Sequence, residues 1–397
     1  MQRAGERVKI TAQLIKAADG FHLWSDTFTR DAKDVFAVQE EIAGLIAKQL
    51  SLKLGASSAA ATAAINPQAF EFYVQAREAW KLRTLADYDR AEDLLNRALA
   101  LEPNFARAHV ALADVWFVRA QEKFLIGNFA QRGSPDFARI KDKINQALAL
   151  DPDLAEAHAS LGGVAWIGWD SPTSERELRR AIALNPNYAT AHQWLGRALN
   201  HQGRLEEGLA ELKLATELDP LASRILDNYS IGLSHAGRYA EAIAYIDRAL
   251  ALQPNAVQAR NFKVGYLLSA GRVAEAVDLA RTLPIDQDAG CRAIQGGALA
   301  RAGREAEAAA LLAGFSTTDE GPKMVLLLAL GRMEEAIALM KPENMFANNL
   351  ENFLFDPNFD PIRRDPRFVR LLADLGATEA HARAQAWRAA HPLPKTK

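Results

Sequence analysis

A period of 34 residues is the feature of this sequence that most restricts how the chain can fold. A ladder of prolines carries it, and the last four members follow one another at intervals of 34: Pro103, Pro152, Pro186, Pro220 and Pro254. Five residues before each proline is an alanine, and eight residues before it is an aliphatic side chain. A repeat of this length predicts stacked units, each burying its apolar face against its neighbours, whereas a generic helical bundle would not keep a period of 34 residues.

Glycine–arginine pairs form a second ladder with similar spacing: Gly203-Arg204, Gly237-Arg238, Gly271-Arg272, Gly303-Arg304 and Gly331-Arg332. Between the glycines and the prolines, apolar residues recur every three or four positions, which predicts amphipathic helices. We expect each glycine to end the first helix of a unit in a left-handed conformation, and each proline to end the second. Asn104, Asn187 and Asn255 follow prolines and are predicted to cap the next helices.

A 34-residue helix–turn–helix with small residues at fixed offsets resembles the tetratricopeptide repeat. The resemblance implies a mainly α fold, a right-handed helix–turn–helix solenoid with about seven or eight units between residues 66 and 375. Residues 121–135 are additional in the second unit, and the last three units are shorter. The predicted parts are a partial α/β segment (1–53), an Ala/Ser linker (54–66), the repeat array (67–354) and a C-terminal cap and tail (355–397).

Composition excludes several classes of function. The chain has 397 residues, with 47 Lys and Arg against 49 Asp and Glu, a net charge of −2 that argues against non-specific binding to nucleic acid. Its single cysteine, Cys291, cannot form an internal disulfide, and we expect it to be a small apolar core residue. No apolar run approaches the roughly 20 residues that span a bilayer. With no signal peptide either, the expected location is cytoplasmic.

The N-terminal segment predicts a short β-hairpin plus a helix. Residues 7–16 alternate apolar and polar side chains, residues 21–28 form a returning strand, and an apolar helical stripe runs over residues 35–52. Two strands and one helix are too little for an independent domain. Either the hairpin adds to another sheet, or the missing strands lie upstream of Met1.

Three of these N-terminal runs, Arg7–Ile15, Asp19–Ser25 and Asp34–Ile42, resemble the C-terminal half of the TolB-like α/β domain, which precedes tetratricopeptide arrays in a group of bacterial regulators. Glu175–His192 and Asp365–Leu372 are similar to segments of the same group. The resemblance implies an N-terminal output module, either a winged-helix DNA-binding domain or a class III adenylate/guanylate cyclase. No residue here matches either module.

The chain is therefore interpreted as a non-catalytic protein–protein interaction scaffold or sensor module of a bacterial signalling system, and not as an enzyme. The alternative is the regulatory half of a cyclase or winged-helix regulator whose output domain lies upstream or on another chain. We expect a protein or peptide partner, no direct contact with nucleic acid, no membrane span and no cofactor. The sequence leaves the oligomeric state open.

Two groups of residues invite a metal site, and each has a simpler explanation. His109, His158 and His192 each lie six residues after a proline, but equivalent positions of a stacked array are separated by helix-packing distances, so packing is favoured. Three aspartates that suggest a calcium loop are interrupted by prolines and lack its central glycine, which favours turn and cap roles. These aspartates are Asp356, Asp360 and Asp365.

The best candidate for binding is the inner, concave face, which the first helix of every pair lines. In the family that the array resembles, five offsets within that helix face the groove. In two regular units they supply a polar, mixed lining that can hold an extended peptide or a helix: Gln193, Arg197, Asn200, His201, Arg224, Asp227 and His235. The alternative is a merely solvated groove. Trp166, Trp169 and Trp194 are interpreted as core residues or, alternatively, as a stacking platform on this face.

Overall fold

The computed structural model describes residues 2–4, 7–15, 22–31, 65–82, 84–124, 135–341 and 350–393. The chain divides into two compact units, residues 1–65 and 66–397.

The N-terminal unit contains an antiparallel sheet of three strands in the order β1–β2–β3. The strands are β1 (Gln2–Ala4), β2 (Arg7–Ile15) and β3 (His22–Asp31). The second and third correspond to the two predicted strands, whereas the short first strand was not predicted. The helix predicted for residues 35–52 and the linker 54–66 fall almost entirely outside the described residues.

The larger unit is a stack of eight helix pairs within the described part of residues 66–341. The first helices are α1 (Pro67–Leu82), α3 (Ala106–Phe124), α5 (Ala155–Ile167), α7 (Ala189–His201), α9 (Ser223–His235), α11 (Val257–Ser269), α13 (Ala289–Arg301) and α15 (Glu320–Ala329). The second helices are α2 (Leu85–Leu101), α4 (Pro135–Leu150), α6 (Ser171–Leu184), α8 (Leu205–Leu218), α10 (Tyr239–Leu252), α12 (Val273–Ala280), α14 (Glu305–Ala310) and α16 (Met333–Ala338).

The first helices of the later pairs end just before the ladder glycines, as predicted. Gly203 and Gly237 have φ values of 76° and 74°, and the three later glycines of the ladder are left-handed as well. In the pair α5/α6 the equivalent residue is Trp169, whose φ of 62° is rare for a bulky side chain. Its ring lies 6.1 Å from the ring of His201, so packing against the next pair compensates for the backbone strain.

The asparagine caps were predicted wrongly by one residue. The N-cap residues of α7 and α11 are Tyr188 and Ala256, which directly follow Asn187 and Asn255, and neither forms a side-chain cap bond. The chain turns before these helices through backbone bonds instead, such as the one from the amide of Tyr188 to the carbonyl of Asn185.

The arginine after each ladder glycine has a local partner. Arg238 donates from Nε and Nη2 to the two carboxylate oxygens of Glu241 at 2.7 and 2.6 Å, and the same fork recurs three residues apart in the other four copies. These pairs lie at the surface, where water and salt screen the charges, so each contributes little to stability. They explain the glutamate that follows the glycine–arginine pair in the sequence.

Glycines bring α7 and α8 into close contact. A Cβ atom on Gly208 would lie 2.6 Å from the carbonyl oxygen of Gly196 and would overlap the side-chain oxygen of Asn200. We therefore expect Gly208→Ala to lower the free energy of unfolding by about 1–3 kcal/mol, measured by urea denaturation, because the helices must separate.

Gly265 is the matched control. It also lies inside a helix, α11, but no atom lies within 4 Å of its virtual Cβ. Gly265→Ala should raise the free energy of unfolding by about 0.5–1 kcal/mol, because alanine is the better helix former. Equal destabilisation by the two substitutions would show that close helix contact is not the reason for the glycine at position 208.

After the repeat stack comes a segment, residues 350–393, that we call the C-terminal arm. It contains α17 (Leu350–Phe355), a 3₁₀ turn, α18 (Pro366–Asp374) and α19 (Thr378–Ala390). It begins five residues before the predicted boundary at 355. The carboxylates of Asp356 and Asp365 accept amide protons at the starts of the 3₁₀ turn and α18, which are the predicted cap roles.

The apolar core is continuous from the middle of the stack into the arm. Leu226 and Leu233 of α9 belong to the same buried cluster as Phe355 and Phe368 of the arm. The arm is therefore packed on repeats that precede it by more than 100 residues. None of the helices in the described part is both long and apolar enough to cross a membrane.

Candidate functional site on the inner face of α7 and α9

The predicted binding residues all lie on two neighbouring first helices, and most of them are covered. Gln193, Arg197, Asn200 and His201 belong to α7, and Arg224, Asp227 and His235 belong to α9. Five of the seven are buried, and the side chain of Arg197 is nearly so. Only the side chain of Arg224 is well exposed, at 43%. The sequence predicted an accessible lining, whereas the C-terminal arm covers much of it.

Glu351 of the arm meets a basic and an amide side chain of α7. Its carboxylate pairs with the guanidinium of Arg197 and accepts a hydrogen bond of 3.4 Å from Nδ2 of Asn200. Glu351 is only 1% exposed, and this burial raises the pKa of its carboxyl although Arg197 and Asn200 favour the ionised form. The contact is a buried, charge-assisted pair between the arm and the repeat stack.

Two further arm residues lie against His235 of α9. Nε2 of His235 donates to the side-chain oxygen of Asn352 at 3.0 Å, and its ring stacks on Phe355 with centroids 5.8 Å apart. Burial lowers the pKa of His235 to about 3, so its ring is neutral at physiological pH. Phe355 in turn meets the edge of Trp387 at 6.0 Å.

Tryptophans at the end of α5 support the same site. The guanidinium of Arg197 lies 4.9 Å from the ring centre of Trp166, and Trp166 meets His201 edge to face at 5.2 Å. Trp166 is buried, as the core interpretation predicted, and its face also holds the cation that binds Glu351. The two interpretations of these tryptophans are thus compatible at this position.

Asp227 is a buried acidic residue of this face whose ion pair is long. It is only 8% exposed, and the cation that pairs with it, Arg224, is 4.0 Å away. Its Oδ1 atom has no hydrogen-bond partner in the described part of the chain. Burial raises the pKa of Asp227 to about 6, with Arg224 opposing the shift. At neutral pH the face therefore carries a buried negative charge with a weak partner.

A second contact holds the arm to the turn between α7 and α8. Arg383 of α19 donates to the carbonyl oxygen of Gln202 at 3.3 Å, and the indole of Trp387 donates to Glu206 at 3.4 Å. Gly203 permits the close approach, because a Cβ there would overlap the carbonyl oxygen of Ala380. No signal in the sequence pointed to this contact, since the glycine was already explained by its helix-ending role.

The three periodic histidines have local partners. In each, Nε2 bonds to the carbonyl oxygen of the proline six residues earlier, at 2.8 Å for His109 and Pro103, 2.9 Å for His158 and Pro152, and 3.0 Å for His192 and Pro186. Within the described residues, no cluster of three or more histidine, cysteine or acidic side chains is arranged to hold a metal ion.

His192 differs from His109 in its second ring nitrogen. Nδ1 of His192 lies 2.6 Å from a carboxylate oxygen of Glu211, so both ring nitrogens face acceptors and the imidazolium form is favoured. The hydrogen bond to Glu211 raises the pKa of His192, whereas burial lowers that of His109.

We expect an NMR titration of the imidazole protons to place the pKa of His192 above 6.5 and that of His109 below it. Glu211→Gln should lower the pKa of His192 and leave that of His109 unchanged. The stability that His192 contributes is complete below its unfolded pKa and is lost as the pH rises through the higher folded value. A shift of both histidines in the same direction would contradict the assignment of Glu211 as the cause.

Cys291 is fully buried, and Asn261 donates a hydrogen bond to its sulfur at 3.4 Å. Burial raises the pKa of its thiol to about 11, so the thiolate that a nucleophile needs is scarce at neutral pH. The predicted role as a small apolar core residue is confirmed.

The helix pairs, the ladder glycines and the buried alanines give the described part of residues 66–341 the fold of a tetratricopeptide helical solenoid. The family profile described as "Tetratricopeptide repeat" matches residues 73–122, 170–223 and 233–290. The matched ranges include all of α7 but only residue 223 and residues 233–235 of α9, so Arg224 and Asp227 lie outside them.

Among curated proteins, "Putative adenylate cyclase 3" of Rhizobium meliloti (strain 1021) is 31% identical to this chain over 118 residues. The match covers 29% of this chain and 20% of that protein, so it spans about a fifth of the relative's length.

Solved structures with similar folds include a thermophilic TPR protein of Thermus thermophilus (22% identity, 50% of this chain, 99% of that chain, TM-score 0.39). Another is PilF of Pseudomonas aeruginosa (18% identity, 65% of this chain, 96% of that chain, TM-score 0.39).

Proposed function

We propose that this chain is a non-catalytic protein-binding module whose inner face takes a short segment of a partner protein. One observation carries the proposal: the inner face of α7 and α9 already holds a six-residue helix, α17, through an ion pair, a hydrogen bond and a ring stack. A surface that accommodates one helix by charge and aromatic contacts suits other segments of like chemistry.

The seven predicted residues form the proposed binding surface, with different roles. Arg197 and Asn200 recognise a carboxylate, and His235 recognises an amide and an aromatic ring. Arg224 and Asp227 lie nearer the start of α9 and are proposed to contact the part of a partner that α17 does not mimic. Gln193 and His201 lie on α7 with the first group and support it.

Site-specific photo-crosslinking tests this function. A benzophenone amino acid at position 224 of the full chain, expressed in the source cells, should crosslink a partner protein. The same group at position 213, exposed on the second helix α8, is the control and should not. Equal crosslinking from both positions, or none from position 224, would overturn the inner face as the binding surface.

We infer that the module serves a bacterial signalling system. The 118-residue match to "Putative adenylate cyclase 3" favours a second candidate, the regulatory part of a cyclase. Under that alternative the output domain lies upstream or on another chain, and the N-terminal hairpin belongs to a TolB-like domain. An antibody against residues 66–397, used on source-cell extracts, tests whether the output domain lies upstream on the same chain. A band near 43.5 kDa excludes that form of the alternative, and a band of higher mass supports it.

The division into residues 1–53, 54–66, 67–354 and 355–397 and the cytoplasmic location also remain proposals. Fractionation of the source cells with the same antibody tests the location.

A further inference from the structure

The C-terminal arm occupies the surface that the proposed function assigns to a partner. We propose that the arm is a built-in competitor, and that the partner segment carries an acidic residue followed four residues later by an aromatic residue, with a basic residue placed beside Asp227. The inference rests on the proposed function and specifies its ligand.

The acidic and aromatic residues of the partner segment are inferred from the arm itself. Glu351 and Phe355 are four residues apart on α17, so they lie on one side of the helix and reach Arg197 and His235 together. An acidic side chain without the aromatic residue would leave the neutral ring of His235 without its stacking partner. An aromatic residue without the acid would leave the guanidinium of Arg197 without its carboxylate.

The basic residue of the partner segment is inferred from a contact with Asp227 that the arm does not make. Asp227 is buried, its Oδ1 atom accepts no hydrogen bond within the described residues, and the paired cation Arg224 is 4.0 Å away. The side-chain hydrogen bonds and ion pair that α17 makes with the repeat stack go to Arg197, Asn200 and His235 instead. A basic side chain beside Asp227 would gain a charge-assisted bond that the arm leaves unmade.

The unmade contact with Asp227 explains how a partner could displace the arm. The arm is part of the same chain, so it competes at a high effective concentration, and a segment with identical contacts would lose. A partner needs at least one additional favourable contact, and Asp227 offers it. A second copy of this chain would bring the same arm and the same deficit at Asp227, so the structure favours a different protein.

A labelled peptide of residues 350–356, Leu-Glu-Asn-Phe-Leu-Phe-Asp, tests the competition in the full chain. We expect weak binding to the wild type by fluorescence anisotropy, and at least about tenfold tighter binding to the Glu351→Ala chain, because the arm then competes poorly. Adding Arg197→Glu should abolish the gain. Asp374→Ala, which removes an exposed carboxylate at the end of α18 in the arm, should behave like the wild type.

Two versions of the peptide, extended by two lysines at one end or the other, test the role of Asp227. One version should bind the wild-type chain more tightly than the plain peptide, and Asp227→Asn should remove that advantage. If neither lysine extension helps, or if the advantage survives Asp227→Asn, the assignment of a basic residue to Asp227 is overturned.

Hydrogen exchange keeps the inference testable if Glu351→Ala does not fold. In the wild type, saturating lysine-extended peptide should speed amide exchange in residues 350–356 as the arm leaves. Unchanged exchange at saturation overturns the inference, and so does equal binding to the wild type and a folded Glu351→Ala chain. A dimer of the Glu351→Ala chain in light scattering would make a second copy the occupant and would overturn the choice of partner.

Crosslinking and hydrogen exchange together distinguish failure of the competing arm from failure of the proposed function. If position 224 crosslinks a partner while exchange of the arm stays unchanged, the binding surface stands and the competing arm does not. If position 224 crosslinks nothing, both fall.

Discussion

Phe355→Ala is expected to lower the free energy of unfolding by about 3–5 kcal/mol, the largest effect that we predict for a single side chain. Phe355 is fully buried, stacks on His235 and meets the edge of Trp387. Removing the ring leaves a cavity between the repeat stack and the arm, which rigid helices on both sides cannot collapse to fill. Urea denaturation followed by circular dichroism measures the loss.

The matched control is Phe70→Ala in α1, a residue that is 48% exposed. We expect a change within about 1 kcal/mol there, because little apolar area returns to water. A small effect at Phe355, comparable to that at Phe70, would mean that the arm does not pack on the repeat stack in solution. A lower slope of free energy against urea for Phe355→Ala would indicate that the arm has detached before the stack unfolds.

Asp227→Asn is expected to raise the free energy of unfolding by up to about 3 kcal/mol at pH 7, since a pKa difference of about two units corresponds to that energy. The folded pKa of Asp227 is raised from 3.8 to about 6. A carboxyl with a raised folded pKa stabilises the fold below its unfolded pKa, and this stability is lost as the pH rises through about 6. Asparagine cannot ionise, so the variant escapes the loss.

The pH dependence of the stability gain in Asp227→Asn tests whether ionisation of Asp227 causes it. The advantage of Asp227→Asn should shrink towards zero as the pH falls from 7 to below about 4, where the wild-type carboxyl is protonated. Asp365→Asn is the control of opposite sign, because Arg367 lowers the pKa of Asp365 to about 2. Its removal should destabilise the chain at pH 7 and have less effect as the pH falls. An advantage for Asp227→Asn that is constant over pH would exclude ionisation as its source.

The fold could be predicted from the sequence because its signals are local and repeated. Gly237 and Pro254 mark helix ends by their own backbone chemistry, and buried Ala249 marks a close helix contact. The three last units were predicted to be short, and their second helices have only eight, six and six residues. The N-cap positions were missed by one residue because a backbone turn, and not a side chain, begins α7 and α11.

The covering of the candidate site could not be predicted in this way. Glu351 and Arg197 are 154 positions apart, and no periodic pattern connects them. Their pairing depends on where the arm returns, which is decided by the packing of Phe355 and Trp387 on elements far away in the chain. The residues of the inner face could therefore be identified from the sequence, whereas their burial could not.

Packing of the arm on the middle of the repeat stack changes how this solenoid unfolds. In an open array each unit contacts only its neighbours, so unfolding can begin at either end and proceed unit by unit. Here the last residues are fastened to the fourth and fifth helix pairs through Glu351 and Phe355. We therefore expect the C-terminal half to unfold as one cooperative block and fraying to be concentrated at the opposite end of the repeat stack.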